Sequence, residues 1–196
     1  MQKIYIVLTH TGTLLSNVIK KYTKNEYSHI SIALDKNLEN IYSFGRLTPY
    51  NMFNAGFVKE SLTSGTFKRF KETKTSVYET EITDEQYEIM KKEINRMYNS
   101  KEEYKFNIIG LFLVMFNKKI KLPKTFYCAE FVRYILNKAN INIDYLPDII
   151  KPEDFKNLKN VKLVYKGKLR EYRNRIKHQE KQHIKPTITI PRRAAI

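Results

Sequence analysis

The chain has 196 residues, a formal net charge of +16 and 42% hydrophobic residues. This length predicts one domain with room for a short extension, and the hydrophobic share is sufficient for a core. The single cysteine excludes a disulfide framework and any multi-cysteine metal site, and no metal or other cofactor is expected. The longest apolar run, residues 108–116, is about half of the roughly 18 residues that a membrane span requires.

The N-terminal ten residues contain a short apolar stretch without a small-residue cleavage site, and polar residues follow at once. This pattern favours a strand over a signal peptide. We therefore expect a cytoplasmic location and no transmembrane segment, while export by a non-classical route stays open.

Alternation and helical spacing predict the elements in chain order. A strand over 3–9 precedes a helix with apolar residues from Leu14 to Tyr22. Strands over 30–34 and 40–44 form a hairpin, and a long loop with short ordered pieces follows over 45–65. Substrate contacts are expected from this loop and from the loop before Cys128. Strands over 67–70 and 76–82 lead to a helix with a capping box at Thr83. A helix over 107–116 is apolar all round and is expected to be buried. A helix over 126–140 and a strand over 161–165 complete the domain, which is assigned to residues 1–165.

Residues 166–196 form a separate basic segment with ten Lys or Arg and two Glu, which is half of the excess positive charge. Leu169, Tyr172 and Ile176 have the spacing of one helix, and the last dozen residues are expected to be disordered. We therefore predict a basic, partly disordered C-terminal extension. Packing of this segment against the body is the alternative.

Cys128 is the first candidate for chemistry. A loop over 121–124 precedes it and helical periodicity follows it, which places the thiol at or near a helix N-terminus. The helix dipole and the free N–H groups there favour the thiolate, which is the nucleophilic form. The alternative is that Cys128 is a small buried apolar residue, as most free cysteines are.

Histidine is the natural base for a cysteine nucleophile. His29 begins a predicted strand, where a local hydrogen bond or solvent exposure is the alternative to catalysis. His10 follows the first strand and suits a loop or capping role, whereas His178 and His183 lie in the basic segment.

A catalytic histidine also needs a residue that orients its ring. The hairpin register places Ser43 opposite or diagonal to His29, with Tyr42 or Asn40 in that position if the register slips. Glu60 and Glu130 are acidic candidates, and both are interpreted as solvated or structural.

The segment Ser28-His29-Ile30-Ser31 and, about 100 residues later, Tyr127-Cys128-Ala129-Glu130-Phe131-Val132 carry a family resemblance. Together with the segments at 41–46, 56–60 and 104–111, they resemble permuted papain-like thiol hydrolases, the YiiX/YycO-like branch of the NlpC-type peptidase superfamily. In the usual papain-like order the cysteine comes first, and this branch reverses that order, as this chain does. The resemblance covers roughly residues 1–155. The segments at 41–46 and 56–60 are similar to a pattern found in bacterial, mainly Firmicute, members of this branch.

The resemblance implies an α+β, circularly permuted papain-like fold with a central antiparallel sheet packed against helices. It implies Cys128 as nucleophile, His29 as general base and a third polar residue, often an acid or amide, on the next strand. Ser43 in that place departs from the common choice.

Arg46 and Tyr127 are the candidate substrate-binding residues. Arg46 follows a strand and either meets an acidic substrate group or is a surface charge. Tyr127 lies beside the nucleophile and either adds a hydrogen-bond donor or is a core aromatic residue.

The expected reaction is cleavage of an amide or (thio)ester bond through an acyl-enzyme, with a peptide, amide or acyl ester as substrate. Peptidase or amidase action on cell-wall-type peptides is one form of it, and an acyltransferase or thioesterase is an alternative. The other alternative is a binding module on a degenerate hydrolase fold. It would contact nucleic acid or another polyanion through Arg170, Arg173, Arg175 and Lys177, with Tyr172 stacking on a base. An anionic membrane surface or a cell-wall polymer fits the same charge, and a plain solvated tail is the remaining alternative.

Overall fold

The computed structural model describes residues 1–51 and 54–183. Over these residues the chain is a mixed α/β protein with one eight-stranded sheet and six α-helices. The strands are β1 (Gln2–His10), β2 (His29–Ala33), β3 (Ile41–Arg46), β4 (Ala55–Glu60), β5 (Lys74–Ile82), β6 (Lys105–Phe106), β7 (Thr125–Phe126) and β8 (Lys162–Lys168). The helices are α1 (Leu14–Thr23), α2 (Gly65–Arg69), α3 (Asp84–Asn99), α4 (Ile108–Met115), α5 (Cys128–Lys138) and α6 (Leu169–His183). Short 3-10 helices cover Lys101–Glu103 and Pro152–Asn157.

The strand order is β7-β6-β4-β3-β2-β1-β5-β8, and the sheet is antiparallel at every pairing except β6 with β7. The expected antiparallel centre is therefore present inside a mixed sheet. The pairing of Ala33 with Ile41, and of Ile41 with Glu60, fixes the register of the three strands that carry the candidate site.

Both faces of the sheet are covered, because β1 alternates two sets of apolar side chains. Ile4, Ile6 and Leu8 belong to a core shared with α3 and α5, whereas Tyr5 and Val7 belong to a core shared with α6. On the first face the rings of Phe44, Phe57 and Phe131 pack at centroid separations of 5.3 to 5.5 Å. This face fixes α5 against β2 and β3.

Several predicted elements are confirmed by the structure. Strands β1, β2, β3 and β5 and helices α1 and α5 lie within a few residues of their expected ranges. The capping box is also present, because Thr83 Oγ1 accepts from Gln86 N and Gln86 Oε1 accepts from Thr83 N.

Two predictions were wrong, and a third was incomplete. The ordered pieces expected within the loop over 45–65 include a full strand, β4, which pairs with β3 along its whole length. The expected strand over 67–70 is helix α2, whose Phe67 packs into the second core. Helix α4 forms as expected but is not buried all round, because Ile109, Phe112 and Phe116 are exposed.

The start of the basic segment packs against the body, as in the alternative for residues 166–196. The boundary at 165/166 falls inside β8, and Leu169, Tyr172 and Ile176 of α6 are buried in the second core. The disorder expected for the last dozen residues lies outside the described part of the chain. Among the described residues, no helix is long and apolar enough to cross a membrane.

Candidate active site

Cys128 is the first residue of α5, which confirms the predicted position of the thiol at a helix N-terminus. Tyr127 has an extended backbone, and its N–H donates to Glu130 Oε2 at 3.2 Å, which starts the helix at Cys128. Asn107 Nδ2 donates to the same carboxylate oxygen at 3.4 Å. Glu130 thus caps the N-terminus of α5, which agrees with the structural role expected for it. Cys128 is a free, buried thiol.

His29 is the first residue of β2, an inner strand of the sheet, and its imidazole faces the same pocket as Cys128. Cys128 lines the same pocket as His29, and its thiol is close enough to the ring to raise the pKa of His29. The structure therefore brings together the two residues that the sequence singled out, although they lie 99 positions apart in the chain.

Glu60 is the third member of this cluster. Its Oε1 lies 2.9 Å from His29 Nε2, and Ser31 Oγ donates to its Oε2. The two side chains are largely shielded from solvent, with exposed fractions of 21% for His29 and 11% for Glu60. Because Nε2 faces the carboxylate, Nδ1 is the ring nitrogen that remains for the thiol.

Small residues on β3 make room for this contact. The backbone pairing places Gly45 opposite Gly56, next to the strand that begins with His29. A Cβ atom on Gly45 would lie 3.3 Å from His29 Cε1 and 3.6 Å from Glu60 Oε1. His29 and Glu60 therefore meet across a strand whose residue at the crossing point carries no side chain.

The carboxylate sets the charge of the imidazole. Burial alone lowers the pKa of His29, but the negative charge of Glu60 and the hydrogen bonds to Cys128 and Glu60 outweigh it and raise that pKa to about 10. At neutral pH the ring is therefore an imidazolium, and a cation beside a thiol favours the thiolate.

Ser43 does not take the orienting role that the sequence predicted. Its Oγ is fully buried and has no hydrogen-bond partner among the described residues. Ser43 pairs with Val58, and the residue that contacts His29 is Glu60, two positions further along β4. The two residues offered for a slipped register are not bonded to His29 either: Tyr42 stacks on Phe57, and Asn40 Oδ1 accepts from Lys59.

The two predicted substrate-binding residues have different surroundings. Arg46 lines the same pocket as Cys128, and its guanidinium donates to Thr13 Oγ1 at 2.7 Å. Burial lowers the pKa of Arg46. Tyr127 is instead a buried core residue whose hydroxyl donates to Ile150 O at 2.9 Å. Its side chain is therefore not available to a substrate.

The pocket that reaches Cys128 has predominantly apolar walls. Its lining includes His29, Glu60 and Cys128 at one end and side chains of α1, α4 and β3 around them. The apolar lining residues include Leu15, Ile19, Phe44, Phe106, Leu111 and Phe112. Water has few polar partners along these walls, which suits an apolar group next to the reacting bond.

His10 and Tyr172 are both buried and hydrogen-bonded within the protein. His10 is buried, with Nδ1 3.3 Å from Ser28 Oγ, which agrees with a structural role. Tyr172, the expected base-stacking residue, is also buried, and its hydroxyl donates to Lys36 O. It cannot stack on a nucleic-acid base without leaving the core.

Within the described ranges, no group of three or more His, Cys, Asp or Glu side chains is arranged to hold a metal ion.

Comparison of the chain with models of known protein families, with curated proteins and with solved structures found no match.

Proposed function

We propose that the protein is a cysteine hydrolase of the permuted papain-like type, with Cys128 as nucleophile, His29 as general base and Glu60 as the residue that orients His29. One observation carries the proposal: the His29 imidazole contacts a largely shielded carboxylate at 2.9 Å and shares a pocket with the Cys128 thiol. A nucleophile, a base and an orienting group in hydrogen-bonded sequence are the general signature of covalent catalysis. The chain order, histidine before cysteine, agrees with the permuted branch that the sequence resembles.

Glu60 replaces Ser43 as the third residue in this proposal. The resemblance implies an acid or amide on the strand after His29, and here a carboxylate reaches His29 from one strand further, β4. Ser31 supports it by donating to the second carboxylate oxygen. Glu60 lies on β4 and not on the strand directly after His29, but it is an acid, which is a common choice for the third residue in the family that the sequence resembles.

The reaction follows from these positions. The Cys128 thiolate attacks the acyl carbon and forms a C–S bond, while the carbonyl electrons move to oxygen. The first N–H groups of α5 have no intrahelical acceptor and are the donors available to the oxyanion that forms next to Cys128. The His29 imidazolium then gives its proton to the departing amine, alcohol or thiol as the C–N, C–O or C–S bond breaks. Water, deprotonated by His29, hydrolyses the acyl-enzyme and restores Cys128.

The pocket walls restrict the substrate class. A substrate must place its carbonyl at the Cys128 end and extend along apolar side chains of α1 and α4. This favours an amide or (thio)ester that carries an apolar group next to the scissile bond. The polar glycan part of a cell-wall substrate would have to remain outside the pocket.

The test is capture of the covalent intermediate. The protein is mixed with p-nitrophenyl esters of increasing chain length, and release of nitrophenol is followed together with the intact mass. We expect a burst of one equivalent and an acyl adduct on the peptide that contains Cys128. Cys128→Ser should lose the adduct, and Glu153→Gln, a change in a carboxylate outside the pocket, should keep it. Release without any adduct on Cys128 would overturn the proposal.

A further inference from the structure

Helices α1 and α4 lie side by side and leave an apolar face uncovered. The Tyr22 and Phe116 rings are 6.4 Å apart, and Leu15 and Phe112 line one pocket. We call this surface the α1–α4 face, and its exposed members are Leu14, Tyr22, Ile109, Phe112 and Phe116. Leu14 is 78% exposed and Phe116 is 64% exposed, so these side chains contribute little to the core.

The face is continuous along α4. Ile109, Phe112 and Phe116 recur at intervals of three and four residues and therefore form one stripe, while Leu111 and Val114 on the other side are buried. A contiguous exposed apolar stripe marks an interaction surface, whereas single exposed apolar residues need no explanation.

Lysines lie close to the apolar residues along the chain. Lys20 and Lys21 in the last turn of α1, and Lys24 just after it, line a shallow depression on the helix that carries Leu14 and Tyr22. None of these three lysines forms an ion pair within the described chain. Glu26 also lines the depression, but its carboxylate is paired with Lys166 at 2.9 Å. Exposed lysines also follow α4, at positions 118, 119 and 121.

We propose that the α1–α4 face docks on the surface of an anionic lipid bilayer. Apolar side chains bordered by lysines are the composition of helices that lie in a membrane interface, where the apolar groups enter the headgroup and acyl boundary. Charge complementarity favours this partner over a second copy, because a second copy would bring the same lysines together in a chain of net charge +16. Docking in this way would place the mouth of the Cys128 pocket, which Phe112 borders, at the lipid surface.

The absence of tryptophan from the chain allows a direct measurement. Phe116→Trp introduces one reporter on the face, and Leu163→Trp introduces one at an exposed position of β8 as the control. With vesicles of equal parts phosphatidylglycerol and phosphatidylcholine, we expect a blue-shifted emission and quenching by bromine on the lipid chains for Phe116→Trp. The reporter at position 163 should show neither effect.

Affinity is measured by vesicle sedimentation with a matched set of variants. Changing Leu14, Ile109 and Phe116 to Ser, at positions whose side chains are outside the pocket lining, should weaken binding by about 100-fold. Replacing Lys20, Lys21 and Lys24 by Ala should also weaken it by about 100-fold, at about fivefold per lysine. The control triple replaces the exposed lysines at positions 91, 92 and 101 by Ala, and it tests for binding through net charge alone.

Each other outcome overturns the proposal. Equal losses in the two lysine triples would mean that the general positive charge binds the vesicles. Binding that is unchanged by the three Ser substitutions would exclude the face. If the wild type sediments as a dimer without lipid and the Ser variant as a monomer, the face is covered by a second copy. Catalysis is not needed for any of these measurements, so Cys128→Ser protein can be used throughout.

Discussion

Replacement of Glu60 by Gln tests how the His29 charge is set. The two side chains meet at 2.9 Å, where unit charges attract by about 6 kcal/mol at an effective dielectric constant of ~20. That energy corresponds to about four pH units. It accounts for a His29 pKa of about 10 against the opposing effect of burial. Gln keeps the shape of Glu60 and removes only the charge, so burial should then dominate and bring the pKa of His29 below 6.5.

The assay is the pH titration of the histidine ring nitrogens by NMR in the Cys128→Ser background, which removes the thiol contribution. We expect His29 to titrate above about pH 8 with Glu60 and below 6.5 with Gln at position 60. Glu88→Gln serves as the control, because Glu88 is an exposed carboxylate on α3 that does not line the Cys128 pocket. A His29 that titrates near 6.5 with Glu60 present, or one that does not respond to the substitution, would refute the reasoning.

The same pair predicts how stability depends on pH. The pKa of His29 is higher in the folded protein than its ordinary value of 6.5. Its contribution to the free energy of unfolding is therefore complete below about pH 6.5 and is lost as the pH rises toward 10. Urea unfolding should show a difference of about 3 kcal/mol between Glu60 and Gln near pH 6, and a smaller difference near pH 10.

Three further substitutions test the surroundings of the site and the packing of α6. Ser43→Ala should leave the rate of ester cleavage unchanged and alter the free energy of unfolding by less than about 1 kcal/mol, because its hydroxyl has no partner among the described residues; a loss above tenfold would restore Ser43 as the orienting residue. Gly45→Ala should lower the rate by about tenfold in a protein that unfolds normally, since the new Cβ lies 3.3 Å from His29 Cε1; an unchanged rate would show that the ring has room to move. Ile176→Ala should cost about 2–4 kcal/mol in thermal or urea unfolding, because this side chain is buried under the second face of the sheet; a negligible cost would mean that α6 is detached in solution.

The positions of Cys128 and His29 could be predicted because local signals determine them. A loop followed by helical periodicity defines the start of α5, and a strand pattern defines β2. Both signals lie within about ten residues of the functional side chain. The contact between Cys128 and His29 joins two distant segments, and the family resemblance supplied it as an expectation.

Glu60 was an acidic candidate, but its place beside His29 could not be predicted, and the reason is physical. The segment before it contains Pro49, Asn51 and Asn54, which are turn residues, and the stretch was therefore expected to be a loop with only short ordered pieces. Strand β4 forms only because β3 offers a partner whose Gly45 lies opposite Gly56, and this pairing is a tertiary interaction. Phe57 and Val58 were the available strand signal, but two residues give too short an alternation to place Glu60 next to His29.

Helix α4 shows a second limit. An apolar composition on all sides predicts burial, because most surface helices keep a polar face. The structure buries only the side with Leu111 and Val114. Composition alone does not distinguish a core helix from one that presents its apolar side to a partner outside the chain.

The central claim is that His29 activates Cys128, and the rate of iodoacetamide alkylation tests it most directly. Cys128 is the only thiol, so the signal has one source. We predict that the wild type is labelled rapidly already near pH 6. The His29→Ala variant should be labelled slowly at that pH, and its rate should rise only as the pH approaches about 8.5, the ordinary pKa of a thiol. His178→Ala, at an exposed position of α6, provides the control for loss of an imidazole elsewhere and should label like the wild type. A wild-type thiol that labels slowly near pH 6 and does not respond to loss of His29 would contradict the account.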